Sequence, residues 1–210
     1  MSAARALLAR GRARVRAARA PVETGAASRF GTSLWAELVA RVRAQRHARQ
    51  AGVEVGSRVR FGKGVRCVAP PGARIVLGQD VEIGDRTILE ALPGGVLSFA
   101  DGAIVARGCT IAAERHVSIG RDSGVVEWSS IRDHDHDPTY PVKSQRTVQA
   151  DVRIGDRVWI GSRVSVMRGR SIGDDAIIGA NAVVTRPVPA NCIAVGVPAC
   201  VVRENVRPGP

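Results

Sequence analysis

The sequence predicts an all-β fold, a parallel β-helix wound from six-residue repeats, and three observations predict it. From Ile154 to Val195 the chain cuts into sixes, IGDRVW, IGSRVS, VMRGRS, IGDDAI, IGANAV, VTRPVP and ANCIAV, and an aliphatic residue opens six of them in succession: Ile154, Ile160, Val166, Ile172, Ile178 and Val184. A small or branched residue returns four places after the opener, at Val158, Val164, Ala176, Ala182 and Val188, with Arg170 the exception, and glycine follows the opener at Gly155, Gly161, Gly173 and Gly179. Composition is 45% hydrophobic but only 3% aromatic, so the core must be built from Val, Ile, Ala and Leu, which suits a narrow interior. A period of six fits neither the 3.6-residue helix nor strand alternation; it is the signature of a β-helix. Each six supplies one short strand and one corner, three sixes close a triangular coil, and coils stack at about 4.7 to 4.9 Å. The openers fill the interior and the glycines turn the corners.

Taken in order, the chain divides into a basic segment at 1–52, a β-helix domain at 53–204 and a tail at 205–210. Residues 1–20 alternate Ala and Arg as a low-complexity tail, and Pro21 to Gly31 reads as a linker. From Thr32 or Ser33, candidate N-caps, a helix is predicted over 33–50, with Leu34, Trp35, Leu38, Val39 and Val42 on one stripe that docks on something. Its expected role is to cover the open end of the solenoid; the alternative is an amphipathic contact with a membrane surface or a partner. Repeats begin at Val55 (VGSRVR, FGKGVR) and continue from Leu77 (LGQDVE, IGDRTI), Val105, Ile111 and Ile119 (IGRDSG, VVEWSS). Two Pro- and Gly-bearing interruptions, CVAPPGAR and LPGGVLSFADG, read as looser corners.

The formal charge is +12, but residues 1–50 hold eleven Arg against two Glu, so basicity belongs to that segment and nucleic acid is not the expected partner. Cys67, Cys109, Cys192 and Cys200 show no CxxC pairing and read as reduced packing residues. No apolar run approaches the ~20 residues of a membrane span, and Leu7-Leu8 is too short for a signal-peptide core. The expected location is cytoplasmic.

The larger break in phase runs from Arg132 to Asp151, a loop ejected between Ile131 and the resumption at Ile154. It carries Asp133-His134-Asp135-His136-Asp137, two of the chain's four histidines interleaved with carboxylates that can fix an imidazole tautomer and raise its basicity. A loop on a rigid scaffold is a usual place for function. No metal is expected, because His47 and His116 lie far off in sequence and a metal would need ligands from another subunit.

Over Val158 to Glu204 the segments VWIGSRV, IGDDAIIGANAVVTRPVP and AVGVPACVVRE resemble the VWIGxxV, IGxxxxIGAGSVVTKDVP and AxGxPAKVIRE pattern of the left-handed β-helix (hexapeptide-repeat) acetyltransferases, most closely their galactoside, maltose and polysaccharide O-acetyltransferase branch. The resemblance covers residues 53 to 204 as a fold and is specific over the last third. It implies a left-handed coil, against the usual crossover hand, and a homotrimer with active sites between subunits. It also implies acetyl-CoA as cosubstrate and transfer of acetyl to a hydroxyl of a sugar or sugar-like acceptor. By resemblance the base is His136, five residues after Ile131 and followed by Asp137-Pro138, with His134 the second choice. Ser162 would donate its backbone N–H to the oxyanion and Trp159 would wall the pantetheine channel. Gly179 and Ala180 would meet the pantetheine amides, and Thr185, Arg186 and Arg203 the adenosine phosphates. Arg186 stands for the family's lysine, Pro187 for its aspartate, and Cys200 where lysine or arginine is common. An N-acetyltransferase acting on an amine is the first alternative, and a metal-dependent lyase of the γ-type carbonic anhydrase kind the second.

Overall fold

A computed structural model describes residues 34–204 and Val206; the predicted tail at 1–20, the linker, the candidate caps Thr32 and Ser33 and the remaining C-terminal residues lie outside them. The described chain is one helix, α1 (Leu34–His47), followed by a left-handed parallel β-helix with three walls. The first wall stacks Val53–Val55, Arg74–Leu77, Val96–Phe99, His116–Ile119, Val152–Ile154 and Ser171–Ile172. The second stacks Arg60–Phe61, Glu82–Ile83, Ile104–Val105, Gly124–Val125, Trp159–Ile160, Ile177–Ile178 and Cys192–Val195, and is closed by the antiparallel Cys200–Glu204. The third stacks Arg66–Val68, Ile88–Ala91, Thr110–Ala113, Ser130–Arg132, Ser165–Val166 and Val183–Val184.

The hexad openers are buried as expected, Ile160, Ile178 and Val184 at 0% exposure, and the residues four places on (Val158, Val164, Ala176, Ala182) line the same interior. Removing these branched side chains from water is the main stabilising term, about 1.5 to 3 kcal/mol for each Val, Leu or Ile fully buried. Cys67, Cys109 and Cys192 pack in this interior as free thiols, with burial pushing Cys67 up to about 12, while Cys200 is exposed.

Two local readings change. The interruptions are not loose: CVAPPGAR and LPGGVLSFADG contain ordered strands of coils that are longer. Val53 pairs with Ile75 and Ile75 with Leu97, 22 residues apart at each step, whereas Ile154 pairs with Ile172, 18 residues on. The extra residues lie where the third wall turns into the first. The corner glycines also have a different reason from the one expected. The left-handed backbone falls three places after the opener, at Arg58, Asp80, Arg86, Asp122, Arg157, Arg163, Asp175 and Asn181, all with φ between 53° and 61°. The glycine directly after the opener is required by coil stacking: a Cβ on Gly173 would lie 2.4 Å from the backbone N of Ala190, and one on Gly56 2.4 Å from the carbonyl O of Gly78. Carboxylates two places after the opener link coils, since Asp85, Asp101, Asp156 and Asp174 accept the backbone N–H of Lys63, Gln79, Arg121 and Asp156 in the preceding coil.

α1 does cover the first coil, but with the other face. Ala40 and Ala44 are buried, the His47 ring packs 5.3 Å from that of Phe61, and Arg60 bridges Glu37 and Glu82. The small alanines let the helix approach closely. Leu34 and Trp35 are consequently left 84% and 75% exposed, with Leu38, Val39 and Val42 also outward. No helix among the described residues is long and apolar enough to cross a membrane.

Candidate functional site

After Arg132 the chain leaves the coil as a β-hairpin, His134–His136 pairing antiparallel with Thr147–Gln149, and it returns at Val152 to pair with the first wall. Alternation along the ribbon puts His134 and His136 on one face and Asp135 on the other, where Asp135 accepts from Arg168 Nε at 2.8 Å. At the tip, Asp137 accepts the Thr139 N–H and hydroxyl, and the Arg146 guanidinium lies 4.1 Å from the Tyr140 ring centroid.

Asp133, at the hairpin base, sits two places after the opener Ile131 and turns inward to 0% exposure. Its carboxylate accepts the backbone N–H groups of Glu114, Arg115 and His116 at 2.7 to 2.8 Å and lies 3.0 Å from Nδ1 of His134. Burial pushes the acid up, but the His134 bond and the three N–H groups outweigh it and hold Asp133 below the usual carboxylate range. The Asp133 hydrogen bond raises His134 above the ordinary imidazole value, against a smaller opposing effect of burial. In the neutral ring a proton on Nδ1 donates to Asp133, which leaves the Nε2 lone pair as the basic site. The His134 side chain is 15% exposed, so the ring is held yet reachable, whereas His136 is exposed farther out on the ribbon. Glu114 joins the same group by accepting the Thr147 hydroxyl at 2.6 Å, which ties the returning strand of the hairpin to the coil.

The remaining predicted residues fall into two groups. Trp159, Ile177, Ile193 and Arg203 are consecutive register partners, so Trp159 and Arg203 share one outward strip of the second wall, about 14 Å apart at the usual strand spacing. Trp159 is 46% exposed and its ring lies against Gly124, where a Cβ would meet it at 3.3 Å. Ser162, Gly179 and Ala180 edge this strip at the corner between the second and third walls. Gly179 spends its N–H on Ala194 O, whereas the N–H groups of Ser162 and Ala180 find no acceptor among the described residues. Ser162 keeps its donor because the next coil offers Ala180 at the place where an aspartate would take it. Thr185 and Arg186 lie elsewhere, on the corner between the third and first walls beneath the hairpin.

The candidate residues of one chain therefore fall into two separate groups, His134 with Arg168 and Arg186 on one corner and Trp159, Ser162, Ala180 and Arg203 beside another. The third wall lies between them, six residues of near-extended chain or roughly 15 to 20 Å. Among the described residues no group of three or more His, Cys, Asp and Glu converges as a metal site. Sequence reasoning singled out the histidines but not Asp133 as the residue that fixes one of them, nor Glu114 or Arg168. The available signal was the position of Asp133 two places after an opener, which is where Asp85, Asp156 and Asp174 also accept backbone N–H groups.

The description Bacterial transferase hexapeptide (six repeats) matches residues 151–186. A Mycobacterium tuberculosis protein provisionally named an acetyltransferase is 40% identical over 147 residues, which are 68% of this chain and 49% of that one, so the chain spans about half its length. An Escherichia coli K12 protein, WbbJ, provisionally named a lipopolysaccharide biosynthesis O-acetyl transferase, is 32% identical over 148 residues, covering 66% of this chain and 76% of its own. Among solved structures, AntD, an N-acyltransferase from Bacillus cereus in complex with dTDP and 3-hydroxybutyryl-CoA, superposes with a TM-score of 0.66 at 19% identity, covering 76% of this chain and 87% of that one, a likeness of fold.

Proposed function

The chain belongs to the hexapeptide-repeat acetyltransferase family, and from that premise we propose that it is an acetyl-CoA-dependent O-acetyltransferase acting on a hydroxyl of a sugar or sugar-like acceptor. The observation that carries this reading is the buried Asp133 carboxylate bound to Nδ1 of His134. It supports His134 as the base in preference to His136, which lacks such a partner among the described residues.

The residues present fit acetyl-CoA. The strip from Trp159 to Arg203 offers an apolar wall at one end and a guanidinium for phosphate at the other, with the unspent N–H of Ala180 beside it for an amide of the pantetheine arm. Acetyl-CoA supplies an acetyl group activated as a thioester. Nε2 of His134 takes the acceptor's hydroxyl proton as the acceptor oxygen bonds to the acetyl carbon. The carbon–sulfur bond breaks, and the proton passes from His134 to the departing thiolate. The free N–H of Ser162 donates to the acetyl oxygen as negative charge develops there, which is worth about 2.7 to 4 kcal/mol for one such donor.

Because His134 and Ser162 sit a wall apart in one chain, the reading requires the two half-sites of neighbouring subunits to face each other, which supports a homotrimer. Thr185, Arg186 and Arg168 would then approach the cosubstrate from the hairpin side. The outward face of α1, apolar from Leu34 to Val42 and basic at Arg46, with exposed Arg49 just past its end, supports contact with an anionic membrane surface.

Purified protein incubated with acetyl-CoA and a panel of sugars and amino sugars tests the activity through release of free thiol and the mass of the product. O-acetylated product is expected; product acetylated only on nitrogen would assign the alternative acceptor, and no acetyl transfer with any of the panel would sink the reading. Light scattering on the same sample is expected to give the mass of three chains, and a monomer would remove the shared site.

A further inference from the structure

α1 changes character along its outward face. Leu34, Trp35, Leu38, Val39 and Val42 make its N-terminal part apolar, whereas Gln45 and Arg46 in its last turn and Arg49 just past it are polar and exposed. Steps of three and four keep Leu38, Val42, Gln45, Arg46 and Arg49 on one side of the helix, and the axis rises about 12 Å between Leu38 and Arg46. A hollow of about 430 Å³ opens at the basic end of this face, lined by Arg41, Val42, Gln45, Arg46 and Arg49. Val42 thus belongs both to the hollow and to the apolar stripe.

Residues 34–50 carry four Arg against one Glu. Glu37 is spent on Arg41 at 2.6 Å and also faces Arg60 at 3.8 Å, while Arg46 and Arg49 have no carboxylate partner among the described residues. One cation would offset the roughly half negative charge at the C-terminal end of a helix, so this end holds positive charge in surplus. Guanidinium forks beside an amide donor suit the oxygens of a phosphate. The hollow runs directly into apolar surface, so its ligand carries a phosphate at one end and a hydrocarbon body attached to it. A free phosphate or a nucleic-acid backbone offers nothing to Leu34, Trp35 and Leu38.

We propose that this hollow seats the phosphate of an anionic phospholipid, and that the apolar part of the same face lies among the acyl chains below it. The proposal rests on the membrane contact read above and gives it a ligand and an orientation. One headgroup layer is about 5 to 7 Å thick, so a tilt of about 30° over the 12 Å rise puts Arg46 and Arg49 at the phosphates and Leu34 and Trp35 at the edge of the hydrocarbon. α1 lies over the first coil, so its outward face points away from the rod. A cyclic trimer carries three such faces at one end, where three weak seats on one membrane act together.

Sedimentation of the full chain with vesicles tests the seat, using phosphatidylcholine alone or mixed with phosphatidylglycerol. Binding to the mixed vesicles is expected to weaken about tenfold or more in Arg46→Gln with Arg49→Gln. The pair Arg66→Gln with Arg86→Gln, which removes the same charge from the rod, is expected to leave it within about twofold. Equal losses in the two pairs would mean diffuse attraction and overturn the seat, and displacement by millimolar inorganic phosphate at constant ionic strength would assign the hollow to a soluble anion instead. Quenching by lipids brominated high in the acyl chain reads the orientation: it is expected in the wild type and lost in Trp35→Phe, and equal quenching in both overturns it. A mass of six chains that returns to three in Leu38→Asp would give the face to a second copy. Binding abolished by Leu38→Asp but untouched by the Arg46 and Arg49 pair overturns the seat and leaves the membrane contact standing, whereas no binding of the wild type to either vesicle removes both. None of these readouts passes through acetyl transfer, so a failed activity assay and a failed seat are told apart.

Discussion

The coils before the hairpin and those after it share three walls but differ in gauge. Before it, equivalent residues recur every 22 and then 20, strands reach four residues, and Phe61 and Phe99 fill the interior; after it, they recur every 18 and then 16, most strands are two residues long, and the described core is aliphatic. The late coils carry the strip from Trp159 to Arg203, the proposed seat of the cosubstrate. The early coils carry the wider corner and α1. The difference teaches that regularity follows from one repeated demand on volume, while the departures from it widen the corner between the third and first walls. The hairpin leaves at the same corner that the early coils enlarge, so the proposed base, His134, stands at the seam between the two.

The seam gives the largest effect. His134→Ala is expected to lower kcat by about 10²- to 10⁴-fold without changing CoA affinity, and His136→Ala to change it little; the reverse result in steady-state kinetics would move the base outward on the ribbon. Because Asp133 raises His134 and the base works only when neutral, activity should fall as pH drops through a midpoint above the ordinary imidazole value of about 6.5. In Asp133→Asn that midpoint should shift to lower pH. The pair's own contribution to stability is full between the ordinary carboxylate and imidazole values. It fades as rising pH deprotonates His134, and again as falling pH protonates Asp133.

The difference in gauge is sharpened by two glycine substitutions. Gly173→Ala, in a tight late corner, forces backbone apart and should cost about 1 to 3 kcal/mol in urea unfolding. Gly94→Ala, in a roomy early corner with φ 85° and nothing within 4 Å of the added Cβ, should cost only about 1 kcal/mol, from the left-handed backbone. Equal losses would show that the widened corner at Gly94 is packed as tightly as the six-residue corner at Gly173. The smallest effect concerns α1: full-length protein should sediment with vesicles containing phosphatidylglycerol, and Leu38→Asp should weaken this roughly fivefold. Binding indifferent to both lipid charge and Leu38→Asp would leave the outward stripe without that role.

The late coils were legible because each six repeats the same demand on volume, from Ile154 to Val184. The early coils were less so, since two to four extra residues per coil shift the hexad phase and made the Val96–Phe99 strand look like part of a looser corner. α1 was legible as a helix but not in its orientation: periodicity finds the stripe of large side chains, yet docking was decided by how closely Ala40 and Ala44 let the helix approach. The histidine pair stood out by composition. What separates His134 from His136 is the inward turn of Asp133, and the alternating acids and histidines of this segment look alike until the coil's phase is known.

A stack of coils has no length of its own, since every coil presents the next with unpaired backbone groups along three edges. Here α1 sits over the first coil, and Cys200–Glu204 runs antiparallel to Cys192–Val195, against the direction every other strand of the walls follows. A strand of opposite polarity cannot be continued by another coil of the same kind. The two devices together act as chain terminators for a structure that would otherwise grow into a fibre, and they set where the rod begins and stops.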